Sequence, residues 1–270
     1  MKGQRVDDAA MKPELKVFKI GGGIIDQTAD LQEFVRLFSE ISGPKLLVHG
    51  GGKGASEMMR NLGLAPQLVD GRRVTDAAAL DIVTMVYAGK INKQIVAALQ
   101  HHDVNAIGIS GPDGDVIRAV KRPVQAVDYG FVGDLGEASV NANLLHQLLC
   151  LGLTPVLCPI THDGYGQLLN TNADTIAAAV AKALSPQYAV ELHFCFEKQG
   201  VLADASDEQS VIARITLATY ANLKMQGIIT DGMLPKLESA FEALRCGVGK
   251  VIIEHALRIH GDVKTVLCLY

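Results

Sequence analysis

Short β-type runs alternate with longer helix-type runs from residue 14 to residue 269, and no other feature restricts the fold so strongly. Strands separated by helices are joined by crossovers, so they run mostly parallel and carry helices on both faces. Apolar runs at 14–20, 45–49, 155–160, 188–196, 251–254 and 265–269 predict strands. Apolar residues at helical spacing predict helices over 29–41, 53–62, 141–151, 172–184, 217–226 and 233–246. The longest helix is expected over 76–100, opening on an acidic residue that can cap it. Two further strands, 105–110 and 115–120, flank the turn signal Gly111-Pro-Asp-Gly114, while 128–137 is glycine-rich and less regular. The predicted class is α/β: a three-layer αβα sandwich around a mostly parallel central sheet.

The 270 residues are 49% hydrophobic and 20% charged, enough apolar material for one large domain or two tightly joined lobes. We place a flexible segment at 1–12, an N-terminal lobe at 13–160 and a C-terminal lobe at 161–270. Met11 is a candidate start, with a tag before it. A formal charge of −4 gives no broad electrostatic reason to bind nucleic acid or an anionic membrane. Positive potential for an anionic ligand has to be local. Five widely spaced cysteines form no Cys-x-x-Cys pair, and the four in apolar stretches read as buried reduced thiols. The first ten residues are polar where a secretory leader would be apolar, and no run reaches the length of a membrane span. A cytoplasmic location is expected.

Five polar motifs interrupt this apolar background: Lys19-Ile-Gly-Gly-Gly23, His49-Gly-Gly-Gly52, Asp70-Gly-Arg-Arg-Val-Thr-Asp76, Asn170-Thr-Asn-Ala-Asp174 and Ile229-Thr-Asp-Gly-Met-Leu-Pro-Lys236. Two follow predicted strands and two lead into predicted helices, at the strand ends where parallel sheets bind ligands. Lys19 lies inside an apolar strand, and a buried ammonium needs an anion or an outlet to water. The glycines after it, and Gly50, Gly51 and Gly52 after the second strand, let backbone N–H groups approach an anion. Arg73 can fork onto a carboxylate. It can equally be an ordinary surface arginine, as Arg72 beside it would be, and spacing does not separate the two.

Asn170 or Asn172 can cap the following helix, with Asp174 favouring its positive end. Asp174 gains a second role only if it meets Lys19 or Lys236. One carboxylate between two ammonium groups would hold both and leave net positive charge for phosphates. Lys236 otherwise reads as a solvated helix lysine, and 225–232 as a C-cap followed by an N-cap. As a set, these groups suit moving a phosphoryl group onto an anionic acceptor. A rival reading comes from Gly50-Gly-Gly-Lys-Gly-Ala55, which fits the dinucleotide pattern G-x-G-x-x-G/A with Asp70 about twenty residues on. That would be a nicotinamide-dependent oxidoreductase. Against it, Asp70 opens a loop rather than closing a second strand, and the other motifs go unexplained. No Walker A pattern occurs, which removes P-loop enzymes.

From about Lys16 onward the ordered set resembles the acetylglutamate kinases of the amino acid kinase family. The resemblance is carried by Lys19-Ile-Gly-Gly22, Val48-His-Gly-Gly-Gly52, Gly71-Arg-Arg-Val-Thr-Asp76 with Ala88-Gly-Lys-Ile-Asn-Lys93, Gly108-Ile-Ser-Gly-Pro-Asp-Gly114, Gly130-Phe-Val-Gly133, Asn170-Thr-Asn-Ala-Asp174 and Ile229-Thr-Asp-Gly-Met233 with Lys236. It implies the amino acid kinase fold. It also implies transfer of the ATP γ-phosphoryl group, with Mg²⁺, to the side-chain carboxylate of N-acetyl-L-glutamate, early in arginine biosynthesis. By position, Lys19 and Lys236 would be catalytic with Asp174 organising them. Gly51, Gly52, Arg73 and Asn170 would hold the acyl-amino acid. Lys19, Gly21, Gly22, Glu197 and Lys236 would meet the nucleotide, and no protein ligand to a metal is assigned. The N-terminal lobe would bind acyl-glutamate and dimerise, and the C-terminal lobe would carry ATP.

A carboxylate acceptor is already ionised at neutral pH, so this chemistry requires no general base. Three features depart from the family pattern. Lys53-Gly-Ala-Ser56 replaces the Pro-led helix start that usually follows the three glycines. Phe194-Cys-Phe-Glu-Lys-Gln-Gly-Val201 places Glu197 where an aspartate is usual. No long helical extension of the kind linked to arginine-inhibited hexamers is present, which implies a homodimer without arginine feedback. Lys53 and Arg72 are extra cations near the acceptor loop and leave N-succinylglutamate as an alternative acceptor. Gly71-Arg-Arg-Val-Thr and Asn-Thr-Asn-Ala-Asp together argue against a carbamate or aspartate kinase relative.

Overall fold

The computed structural model describes residues 12–69, 71–229 and 233–270. The segment expected to be loose at 1–12 lies outside these except for Lys12, as do Asp70 and Thr230-Asp-Gly232. β1 (Glu14–Ile20) is followed by the short helix α1 (Gly22–Ile25) and by α2 (Thr28–Ser39); β2 (Lys45–His49) runs into α3 (Gly52–Asn61). A ribbon of β3 (Leu68–Val69) and β4 (Arg72–Arg73) precedes α4 (Ala77–Thr84), α5 (Asn92–His101) and β5 (Ala106–Ile109). A second ribbon, β6 (Val120–Lys121) with β7 (Gly133–Asp134), precedes α6 (Ala142–Cys150) and β8 (Thr154–Leu157). The hairpin of β9 (Ile160–His162) and β10 (Leu168–Asn170) delivers the chain to α7 (Ala173–Leu184) and β11 (Ala189–Phe196). β12 (Arg214–Ile215), α8 (Leu217–Met225), α9 (Leu234–Arg245), β13 (Lys250–His255) and β14 (Thr265–Leu267) complete the order.

Among the described residues eight strands form one sheet in the order β12-β14-β13-β11-β1-β2-β8-β5, and every pairing is parallel except β13 with β14. Side chains alternate between two cores. Leu15 and Val17 of β1 pack with Leu145 of α6, Val180 of α7 and Phe241 of α9. Phe18 and Ile20 pack with Phe34 and Phe38 of α2 and Ile95 of α5. β2 divides likewise, Leu46 and Val48 against Leu47. Both faces are therefore covered, as near-continuous apolar strands require. The same parity aims the polar residues: Lys19, two on from Val17, faces α7, and His49, two on from Leu47, faces α5.

Three expectations change. The helix over 76–100 is not regular, because α4 and α5 join through a π-helical stretch, Met85–Ile91, which brings Tyr87 and Ile91 against Gly51. The strand expected over 115–120 yields only isolated bridges, Ile117 to Val140 and Arg118 to His162, before β6. A 3-10 turn at Asp113–Asp115 breaks that run, with Gly114 and Asp115 both at positive φ. Only Cys158 and Cys195 are buried, whereas Cys150 and Cys246 are exposed at helix C-termini and Cys268 is intermediate. Among the described residues no helix is long and apolar enough to cross a membrane.

Candidate active site

A cleft of about 210 Å³ opens beyond the carboxyl ends of β1, β2 and β8, lined by Lys19, Gly22, Gly50, Gly51, Gly52, Arg72, Arg73, Tyr87, Pro159, Asn170 and Asp174 among others. α7 begins where it does because Asn172 caps it, Oδ1 accepting from the N–H groups of Asp174 at 2.8 Å and Thr175 at 3.1 Å. Asn172, and not Asn170, is thus the cap. The cap sets Asp174 in the first helical turn, opposite the α7-facing end of β1. Lys19 Nζ lies 2.7 Å from Asp174 Oδ1, and Lys236 Nζ, from the first turn of α9, lies 2.5 Å from Oδ2.

The condition on which the sequence reading of Asp174 depended is therefore met. Burial alone would raise the Asp174 carboxyl, but Lys19 and then Lys236 outweigh it and hold the group well below the usual carboxylate range. Two ammonium groups against one carboxylate leave the trio with net positive charge at the cleft wall.

The turns after β1 and β2 are pressed together. A β-carbon on Gly22 would lie 3.7 Å from the Gly52 nitrogen and 3.8 Å from the Lys53 nitrogen. Those N–H groups open α3 and have no partner within the helix. Gly51 has φ 152°, and a β-carbon there would come within 2.5 Å of Ile91 Cδ1. Gly21 stands beside the Lys19 ammonium, 3.8 Å from a β-carbon built on it.

Arg73 is buried, and its fork is partly committed to the protein. Nη2 donates to the Gly52 carbonyl at 2.8 Å and to Ser56 Oγ at 2.7 Å, whereas Nε is buried without a partner among the described residues. Asn170 ends β10 and donates from Nδ2 to Thr75 Oγ1 at 3.0 Å, which in turn donates to the Arg73 carbonyl at 2.9 Å. Arg72 also lines the cleft; burial and then the neighbouring Arg122 lower its guanidinium. Lys53 is exposed, and its charge acts on Asp26. Glu197 does not line the cleft. It is exposed, beyond the end of β11, with Oε1 only 1.3 Å from where a β-carbon on Gly23 would sit. Tyr87 lines the cleft without having been singled out from sequence.

A profile of the amino acid kinase family matches residues 14–255. The acetylglutamate kinase of Bacteroides fragilis is 50% identical over 255 residues, covering 94% of this chain and 97% of the relative. A crystal structure of a Streptococcus mutans protein matches with a TM-score of 0.78 at 26% identity, covering 95% of this chain and 99% of that one. The carbamate kinase of Giardia lamblia bound to AMP-PNP is 13% identical and shares the fold, with a TM-score of 0.68 over 97% of this chain and 99% of that one. The family match runs from the first residue of β1 to the last of β13 and takes in the whole cleft: the chain belongs to the amino acid kinase family.

Proposed function

We propose that this chain transfers the γ-phosphoryl group of ATP to the side-chain carboxylate of N-acetyl-L-glutamate, giving an acyl phosphate early in arginine biosynthesis. The observation that supports it best is the Lys19–Asp174–Lys236 trio beside two apposed glycine turns. Joining two anions requires in-line positioning and offset of the charge on the moving group, and ammonium and N–H donors supply both. Lys19 and Lys236 act on the transferring group, with Asp174 fixing their spacing. Gly51, Gly52, Arg73 and Asn170 take the acyl-amino acid, with the glycine N–H groups where its side-chain carboxylate meets the arriving phosphoryl group, and Gly21, Gly22 and Glu197 serve the nucleotide. Mg²⁺, carried on the ATP phosphates, would neutralise part of their charge. Residues 13–160 serve chiefly the acceptor and a homodimer contact, residues 161–270 serve chiefly ATP, with Asn170 and the Gly21–Gly22 turn reaching across, and the enzyme works in the cytoplasm.

Trapping the product with hydroxylamine tests this. Hydroxamate should form from N-acetylglutamate and not from free glutamate, and Lys19→Ala or Lys236→Ala should lower the rate by about 10²–10³-fold. Folded protein that binds ATP and makes no hydroxamate from any N-acylated glutamate would sink the proposal. Binding of NAD(H) in place of ATP would return the nicotinamide reading.

Arg72 favours a second reading of the acceptor. A second guanidinium beside Arg73 in the cleft exceeds what one α-carboxylate needs, and the additional carboxylate of N-succinylglutamate would use it. On that reading Arg72→Met lowers kcat/KM for the succinyl acceptor about tenfold and barely moves the acetyl one. Equal loss on both acceptors would remove the succinyl alternative.

A further inference from the structure

Ala88-Gly-Lys-Ile-Asn-Lys93 and Gly108 contribute nothing to the cleft wall, yet they end in a buried hydrogen-bond chain behind it. Asn92 is buried and donates from Nδ2 to the Val156 carbonyl at 2.9 Å, with His49 Nε2 at 3.2 Å from the same nitrogen. Lys93 Nζ donates to Asn92 Oδ1 at 3.2 Å and to the Gly108 carbonyl at 3.1 Å. Gly108 makes room for the amide, since a β-carbon there would lie 1.9 Å from Asn92 Oδ1. His49, fully buried, closes the chain with Nδ1 2.7 Å from the Gly50 carbonyl.

The donors and acceptors in this chain can be assigned without ambiguity. A carbonyl only accepts and an ammonium only donates, so Val156 and Lys93 orient the Asn92 amide with its NH₂ toward His49. Nε2 must then accept, and Nδ1 carries the hydrogen it gives to Gly50. A second hydrogen on Nε2 would face a donor. Burial pushes the imidazole down to about 4, against the pull of the Gly50 carbonyl, so the ring is neutral at pH 7. The Gly50 carbonyl shares one rigid peptide plane with the Gly51 N–H, so holding one aims the other. From the opposite side Tyr87 and Ile91 of the π-helical stretch confine Gly51.

We propose that His49, held as its Nδ1–H tautomer by Asn92 and Lys93, is a positioning residue that aims the Gly51 N–H group at the transferring phosphoryl group. This rests on the kinase reading above. Nitrogen-15 NMR of the histidine-labelled full chain, with the His49 signal assigned by its loss in His49→Leu, should show that imidazole locked as Nδ1–H at pH 7. An Nε2–H tautomer in its place would overturn the proposal whatever the activity. His49→Leu should lower kcat by about 10²-fold while both KM values stay within about threefold. His49→Asn, whose amide can donate to the same carbonyl, should recover most of that loss, and an Asn variant no better than Leu would overturn the role. Lys93 is exposed, so Lys93→Met should fold normally and lose several-fold in kcat. Wild-type kcat in Lys93→Met would remove Lys93 from the chain. Absence of acyl phosphate from the wild-type protein would instead defeat the kinase reading and leave the tautomer result standing.

Discussion

Asp174→Asn is expected to lower kcat by about 10³-fold and to reduce unfolding free energy by on the order of 3 kcal/mol. The amide keeps the shape of the carboxylate and removes the charge that faces both ammonium groups. Lys236 is about a third exposed and can swing to water, so most of the penalty falls on Lys19, whose side chain is 11% exposed. ATP should restore much of the lost stability, because its phosphates replace the missing anion; nucleotide at a hundred times its Kd adds about 2.7 kcal/mol.

The pH dependence of this stability follows from the depressed carboxyl. Its stabilising effect is fully present above the unfolded carboxylate pKa of about 4 and is lost as pH falls toward the lower folded value. The stability gap between wild type and variant should therefore close as the solution is acidified below about pH 4. Urea unfolding at several pH values, with and without ATP and Mg²⁺, measures each part. Unchanged stability at pH 7 together with kcat within tenfold of wild type would contradict the organising role given to Asp174.

Gly51→Ala should be nearly as damaging, by a different route. A φ of 152° lies in a region that only glycine enters freely, costing any other residue about 1–3 kcal/mol. The new methyl must also displace Ile91 and Tyr87, adding about 1–3 kcal/mol. A turn that relaxes from this conformation no longer presents its N–H groups, so kcat should fall by at least about 10²-fold. Gly51→Ala combined with Ile91→Val, which removes only the clashing Cδ1, separates the two terms. It should recover packing stability without recovering kcat, since the φ penalty and the N–H direction remain wrong. Gly52→Ala is the control, because a β-carbon there meets nothing closer than Arg73 Nη2 at 4.0 Å. If Gly51→Ala and Gly52→Ala behaved alike, the geometry assigned to this turn would be mistaken.

Much of this was legible in sequence wherever a signal was local. β1 and β2 lie where their apolar runs put them, and α7 begins one residue after its cap. Lys19 and Asp174 could be linked only conditionally. Periodicity tells which face of β1 a residue takes, but not that α7 lies across that face. The π-helical stretch escaped because a reading at 3.6 residues per turn has no place for the wider turn, and Tyr87 escaped with it. The ribbons β3–β4 and β6–β7 have strands of two residues each, shorter than any periodic pattern. Arg73 stayed open between a fork and a surface arginine because its partners, the Gly52 carbonyl and Ser56 Oγ, lie on a separate turn and helix that no motif ties to it. Glu197 followed the family pattern by position, and its longer side chain lies against Gly23 instead of the cleft.

Arg72 and Arg73 stand on one short ribbon and Asn170 on another, both outside the eight-stranded sheet, whereas Lys19 stands on a central strand and Asp174 on a helix packed over it. Substitution in the two-residue strands β3 and β4 leaves the eight-stranded sheet untouched, but substitution in β1 reaches both cores at once. On the proposed assignment, a change of acceptor is therefore most readily engineered through β3–β4, whereas no change at Lys19 leaves the central sheet undisturbed.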